Sequence, residues 1–281
     1  MPIDVDRVLG ASLPETAESW DEDRVILYQI GVGAGVPATD PNELQYAYEA
    51  DLKVLPSFVT IPAMSSIFGI GMVEGLTFNP ILLVHGDQEV VTHRALPTSA
   101  TVTQAGRIAE IWDKGKGALV VIEVVGRDAS GDMLYTARAG LYLRGEGGFG
   151  GAPGPRPGDI APDREPDLVV ESPTLEQQAL LYRLNGDKNP LHADPAVAAM
   201  AGFSRPILHG LCTYGIVCKA AVDGMFDGDV ARVHAYRARF SRPVLPGQTI
   251  LTSLWRQDDR VILRASVKET AEVVLTNASI R

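Results

Sequence analysis

Short apolar runs separated by turn residues dominate the pattern along the chain. Residues 118–125 read ALVVIEVV, Asp128-Ala129-Ser130-Gly131 turns the chain, and Met133–Arg144 runs out as another strand. Near the end, 250–256, 260–268 and 272–281 form a similar meander, turned by Gln257-Asp258-Asp259. Each meander follows a related phrase, Arg94-Ala95-Leu96-Pro97 in one half and Arg242-Pro243-Val244-Leu245-Pro246 in the other. Residues 211–222 are apolar throughout and predict a buried helix. The counterpart at 56–71 is equally apolar, but Pro56, Pro62, Gly69 and Gly71 with β-branched residues between them speak against a long regular helix. That predicts an open apolar trough on the first half's sheet, fit for an acyl chain of ten or more carbons.

The two halves also begin alike. LYQIGVGAGVPATDP at 27–41 and LYRLNGDKNPLHADP at 181–195 align without a gap at an offset of 154, matching Leu, Tyr, Asp and Pro. The chain is therefore a duplicated unit, helical at its start and antiparallel β at its end, which predicts an α+β fold with a helix packed on a sheet. Between the copies, 145–166 holds twelve Gly or Pro in 22 residues and is too poor in apolar side chains to build a core. The expected organisation is an N-terminal half at 1–144, a linker at 145–166 and a C-terminal half at 167–281.

Composition narrows the function. A net charge of −10 with 46% hydrophobic residues in 281 argues against nucleic acid, which demands a basic surface. No apolar run approaches the roughly 20 residues of a membrane span, and Met1 to Asp6 carry two acids and no signal-like region. Two cysteines, Cys212 and Cys218, read as small core residues on different helix faces. The expectation is a cytoplasmic globular protein with no metal site, since no spacing of His, Cys and acid suggests one.

Chemistry concentrates in Leu184-Asn185-Gly186-Asp187-Lys188-Asn189-Pro190-Leu191-His192. Gly186 and Pro190 make it a loop, where an acid and an imidazole five residues apart can converge on one ligand and move protons. An isolated Asp-x4-His is more often a turn acid and a loop histidine. The repeat adds a contrast, because Gly33, Gly35 and Ala38 stand opposite Asp187, Asn189 and His192. Such a site can occur only once per chain.

The phrase YRLNGDKNPLHADPAVAAMAGFSRPILHGLCTYG at 182–215 resembles the signature of the (R)-specific enoyl-CoA hydratases, the hydratase 2 or MaoC-like dehydratases. Leu55-Pro56, His85-Gly86, Trp112-Asp113-Lys114-Gly115 and Pro246-Gly247-Gln248 resemble the duplicated members. The resemblance implies a double hot-dog fold, the first copy's helix being degenerate. It implies addition of water to a trans-2-enoyl-CoA to give a (3R)-3-hydroxyacyl-CoA, in fatty-acid or sterol side-chain β-oxidation, by a homodimer without a cofactor. Asp187 and His192 would be the catalytic dyad, Asn189 would hold water or substrate, and the Gly210 N–H would be the oxyanion donor. His85, Gly86, Lys114 and Phe240 would line the substrate site, Lys114 reaching the coenzyme A phosphate.

Other features weigh less. His209 reads as a structural residue holding the loop before the helix, and His93 and His234 as strand-edge residues. Gly145-Glu146-Gly147-Gly148-Phe149-Gly150 fits a dinucleotide pattern, but prolines follow it instead of a helix. Asn277-Ala278-Ser279 is a sequon without a secretory context, and Ser279-Ile280-Arg281 is a poor match to a peroxisomal address. The rival readings are a dehydratase acting on acyl-carrier protein, a thioesterase and a non-catalytic acyl-thioester binder.

Overall fold

The computed structural model describes residues 3–155 and 158–281. Met1, Pro2, Arg156 and Pro157, which belong to the expected N-terminal half and linker, lie outside the described residues. The strands are β1 (Thr16–Trp20), β2 (Leu83–Thr92), β3 (Ala100–Asp113), β4 (Gly117–Arg127) and β5 (Met133–Arg144), then β6 (Leu168–Pro173), β7 (Ala235–Phe240), β8 (Thr249–Gln257), β9 (Arg260–Val267) and β10 (Val273–Ile280). They form one ten-stranded sheet in the order β1-β3-β4-β5-β2-β7-β10-β9-β8-β6. The second half repeats the first in mirrored order, and the two join through antiparallel β2 and β7.

The matching phrases have structural causes. Asp40 and Asp194 both cap a short helix, Asp40 accepting from Asn42 N at 2.9 Å and Asp194 from Ala196 N at 2.8 Å. The proline after each opens the first turn, where no N–H is missed. The Arg94 and Arg242 phrases lie between corresponding strands, β2 to β3 and β7 to β8.

Each half lays its inner face under a helix. In β3 buried and exposed residues alternate from Thr101 to Ile108, the signature of a sheet wet on one side only. The second half's helix, Gly210–Phe226, is 17 residues long and largely buried. The first half's counterpart is an eight-residue α-helix, Thr60–Ile67, between 3₁₀ turns Pro56–Val59 and Phe68–Met72. Its irregularity agrees with the sequence, but the expected open trough does not exist. Residues 54–64 are buried, and Gln104 ties the segment to the sheet by donating to Pro62 O at 2.8 Å while accepting from the Tyr135 hydroxyl. Pro56 and Pro62 both sit in first turns, where proline costs no helical hydrogen bond. The long-chain expectation loses its basis there.

The chain between β5 and β6 crosses between the halves, pinned at several points. The Asp113 carboxylate accepts N–H bonds from Gly115, Gly148 and Gly150 at 2.8–2.9 Å, and these lower its pKa. The glycines that mimic a dinucleotide motif therefore bind the chain's own carboxylate. Farther on, Asp159 pairs with Arg260 at 2.9 Å and accepts from Ser279 at 3.0 Å.

One charged knot bridges the halves. Lys219, on the long helix, reaches Glu43 at 2.7 Å and Asp223 at 2.9 Å, and Tyr46 donates its hydroxyl to Asp223 at 2.8 Å. The Lys219 side chain is 12% exposed, so removing it leaves a largely buried Glu43 and a half-buried Asp223 without their cation. Lys219→Ala is expected to destabilise the fold by roughly 2–3 kcal/mol. A urea midpoint unchanged at constant m-value would contradict this.

Candidate active site

The phrase 182–194 folds as two short turns joined by an irregular link. A 3₁₀ turn, Arg183–Asn185, stops at Gly186, whose φ of 127° suits only glycine. A second turn, Pro190–His192, is capped by Asn189, whose Oδ1 accepts from Leu191 N at 3.0 Å. Asn189 N donates to Asp187 Oδ1 at 3.1 Å. The loop thus folds back on itself, with His192 buried, Asp187 half-buried and Asn189 exposed.

A reciprocal clasp joins this loop to the segment leading into the long helix. His192 Nδ1 donates to Ile207 O at 2.9 Å, and His209 Nε2 donates to Asp187 O at 3.3 Å. The two rings stack between those bonds, centroids 3.8 Å apart and 27° from parallel. Both partners are carbonyls, so both tautomers follow, and the His192 Nε2 lone pair is left free to accept a proton.

Asp187, His192 and His209 each bring one ligand-type atom within 4.8 Å of the others, a cluster that sequence spacing did not reveal. One nitrogen of each ring is committed to a carbonyl, and the other keeps its lone pair. An imidazole lone pair beside a carboxylate is an arrangement that can take and return a proton.

Gly210 opens the helix next to this cluster. The helix has no side-chain cap, so its first N–H groups are available to an anion. Phe240 lies against Gly210, where an added Cβ would stand 3.3 Å from the ring, and the His85 ring meets Phe240 edge-on at 5.1 Å. His85 belongs to the first half, Phe240 and Gly210 to the second. Pro56 occupies the matching first position of the other helical segment and has no N–H to offer.

Gly86 and Lys114 stand outside this group. Gly86 sits at a bulge in β2, where an added Cβ would stand 3.2 Å from Gly140 O and 3.6 Å from Leu119, a tight fit against the neighbouring strand. Lys114, exposed at the β3–β4 hairpin, donates to Pro153 O in the crossing segment. A cavity of about 560 Å³ lined by Met225, Phe226, Arg232 and Arg256 lies at the far end of the long helix, away from the dyad. Sequence reading missed what His209 touches. Its one legible sign was its place directly before Gly210.

Burial sets the protonation states. It pushes the His192 imidazole below its ordinary value, outweighing the Ile207 bond and the Asp187 charge, which pull it up. Burial takes His85 down to about 4, and burial with the neighbouring His192 takes His209 down to about 4. His85 Nε2 and His209 Nδ1 are both sealed from solvent without a partner.

A residue-family model described as "MFE-2 hydratase 2 N-terminal domain" matches residues 19–145, and one described as "MaoC like domain" matches 159–278. An enoyl-CoA hydratase, ChsH3, from Mycobacterium tuberculosis is 45% identical over 93% of this chain and 92% of its own length. The peroxisomal multifunctional enzyme type 2 of Mus musculus is 39% identical over 96% of this chain, which spans only 37% of that longer protein. The crystal structure of a MaoC-like dehydratase from Phytophthora capsici superposes with a TM-score of 0.89 at 31% identity, covering 99% of this chain and 98% of the other.

The histidines predict how stability responds to acid. Below pH 6.5 the unfolded chain protonates an imidazole that folded His85 keeps neutral down to about 4, so stability falls with pH across that window. At pH 5 this one group is expected to cost about 2 kcal/mol relative to pH 7.5, and His209 acts in the same direction. Equal urea midpoints at the two pH values would exclude it.

Proposed function

The chain belongs to the hydratase 2 family of MaoC-like proteins with a double hot-dog fold, and from that we propose that it hydrates trans-2-enoyl-CoA to (3R)-3-hydroxyacyl-CoA, as a hydro-lyase. The observation that carries this reading is an imidazole with a free Nε2 beside Asp187, next to the uncapped helix start at Gly210.

In the proposed reaction, a water oriented by Asp187 gives a proton to His192 Nε2 as its oxygen bonds to C3. The C2–C3 π electrons move toward the thioester carbonyl, and the Gly210 N–H meets the charge that builds on its oxygen. His192 then returns the proton to C2, which balances the addition and leaves the imidazole as it began. The His192–Ile207 bond keeps Nδ1 protonated throughout, so Nε2 is the nitrogen that cycles. In this reading the C-terminal half is catalytic and the N-terminal half binds substrate, contributing His85 to the pocket wall. Lys114 serves the coenzyme A phosphate, and Gly86, next to His85, lines the substrate site.

The reverse direction is a dehydration, in keeping with a 39%-identical relative named 3-hydroxyacyl-thioester dehydratase Y in Mycobacterium tuberculosis. The net charge of −10 favours free coenzyme A over an acidic carrier protein. A β-oxidation role, a cytoplasmic location and independence from any cofactor complete the reading. A homodimer also belongs to it, supported by exposed Leu175, Leu180 and Leu184 and tested by light scattering. Among the described residues no helix is long and apolar enough to cross a membrane.

The test is loss of enoyl absorbance with crotonyl-CoA. Asp187→Asn and His192→Gln are each expected to lower kcat by about 10²–10⁴-fold with the fold intact. A variant keeping more than about a tenth of wild-type kcat would remove its residue from the dyad. Because burial lowers the His192 pKa, the acid limb of kcat/KM is expected below pH 6.5. A limb at or above 6.5 would refute the assignment of His192 as the base.

A further inference from the structure

The clasp gives His209 a place at the meeting point of the oxyanion helix and the dyad loop. It is the N-cap residue of helix Gly210–Phe226, so its backbone fixes where the Gly210 N–H stands. Its Nε2–H holds the Asp187 carbonyl at 3.3 Å, and its ring lies flat on His192 at 3.8 Å. It is 1% exposed, and the Tyr182 ring closes another side at 5.0 Å.

We propose that His209 is a positioning residue of the hydration reaction, setting the distance between the Asp187–His192 pair and the Gly210 oxyanion donor. The inference rests on the hydratase reading and goes beyond it, since that reading gives His209 no part in the reaction. The water held by the dyad must meet C3 while the thioester oxygen meets Gly210 N–H, and those groups come from separate segments. The His192–Ile207 bond also joins the two segments, but it ends three residues short of the helix; it is His209 that reaches from the helix cap to Asp187 itself.

His209 can do this only as a neutral ring. The groups that face it are His192 and Asp187 from the loop, Arg183 from the preceding turn, and the Tyr182 ring. Nε2 must carry its proton to bond the carbonyl, and Nδ1 is enclosed with no acceptor for a second one. A proton there would also place a cation against His192 and oppose the charge His192 takes on during turnover. Burial keeps that proton away, which agrees with the low basicity of the ring.

Two variants separate its two contacts. His209→Phe keeps an apolar ring against His192 and removes the donor to Asp187. His209→Gln removes the stack and keeps an amide donor of similar reach. His209→Phe is expected to lower kcat on crotonyl-CoA by about 10–100-fold, as a small displacement of reacting groups does, with KM within threefold. His209→Gln should recover at least threefold of that loss. Circular dichroism and thermal midpoints report whether the variants fold. A Phe variant within twofold of wild-type kcat, a Gln variant no better than Phe, or losses that only track the unfolded fraction would each overturn the proposal. Imidazole ¹⁵N NMR of the wild type provides a readout without substrate. It should show His209 as the neutral Nε2–H tautomer from pH 5.5 to 8, and a doubly protonated ring above pH 6 would overturn the proposal. If the wild type hydrates no enoyl-CoA, the inference falls together with the functional reading. Unaffected variants of an active wild type would sink the inference alone.

Discussion

The antiparallel pairing of β2 with β7, from Asp87 opposite Arg239 to Val91 opposite Ala235, is the join on which the molecule depends. It turns two five-stranded sheets into one and leaves the two helical segments facing a common surface. The pairing also carries His85 from the first half to the Phe240 ring of the second, beside Gly210. Neither half holds that wall alone. The Lys219 knot reinforces the join on the helix side, where Glu43 of one half meets Asp223 of the other around a single ammonium.

Much of the fold was legible because local rules and duplication agree. The offset of 154 aligned Asp40-Pro41 with Asp194-Pro195, and both pairs are a cap and a first helical residue. The late strands stood out because their inner positions are β-branched or apolar, as in Val120, Ile122 and Val124 of β4. Strand β3 was harder, since Gln104 and Gly106 occupy inward positions and hide the alternation. Those two residues belong there because Gln104 ties down the helical segment and Gly106 lets it approach, an added Cβ standing only 2.6 Å from Ser66. At 56–71 the prolines and glycines correctly announced an irregular segment, but not that it would still cover the sheet, because short turns can bury apolar side chains as a long helix does.

The site was half legible. Asp187 and His192 share one loop, and the whole phrase around them, more than their spacing, pointed to them. The stacking of His209 on His192 depends on how the segment before the long helix passes over the loop, a tertiary fact with no periodicity to mark it. Lys114 was legible in one respect only. Its basic turn stood out in an acidic chain, while its bond to Pro153 O in the crossing segment is a tertiary contact with no sequence signal.

The mirrored strand order has a further consequence for how the sheet ends. With β2 and β7 paired, the outermost strands are β1 and β6, of five and six residues. Each carries a glutamate held by a basic partner, Glu18 with Arg24 and Glu171 with Lys268, and β6 finishes at Pro173. Short, charged, proline-tipped borders are poor templates for another strand. Two separate copies of the unit would have to find each other in solution, and on dilution each would bare a long inner strand with its backbone groups unsatisfied. A single chain keeps the partner at a high effective concentration. Its borders against aggregation are therefore the same at any protein concentration.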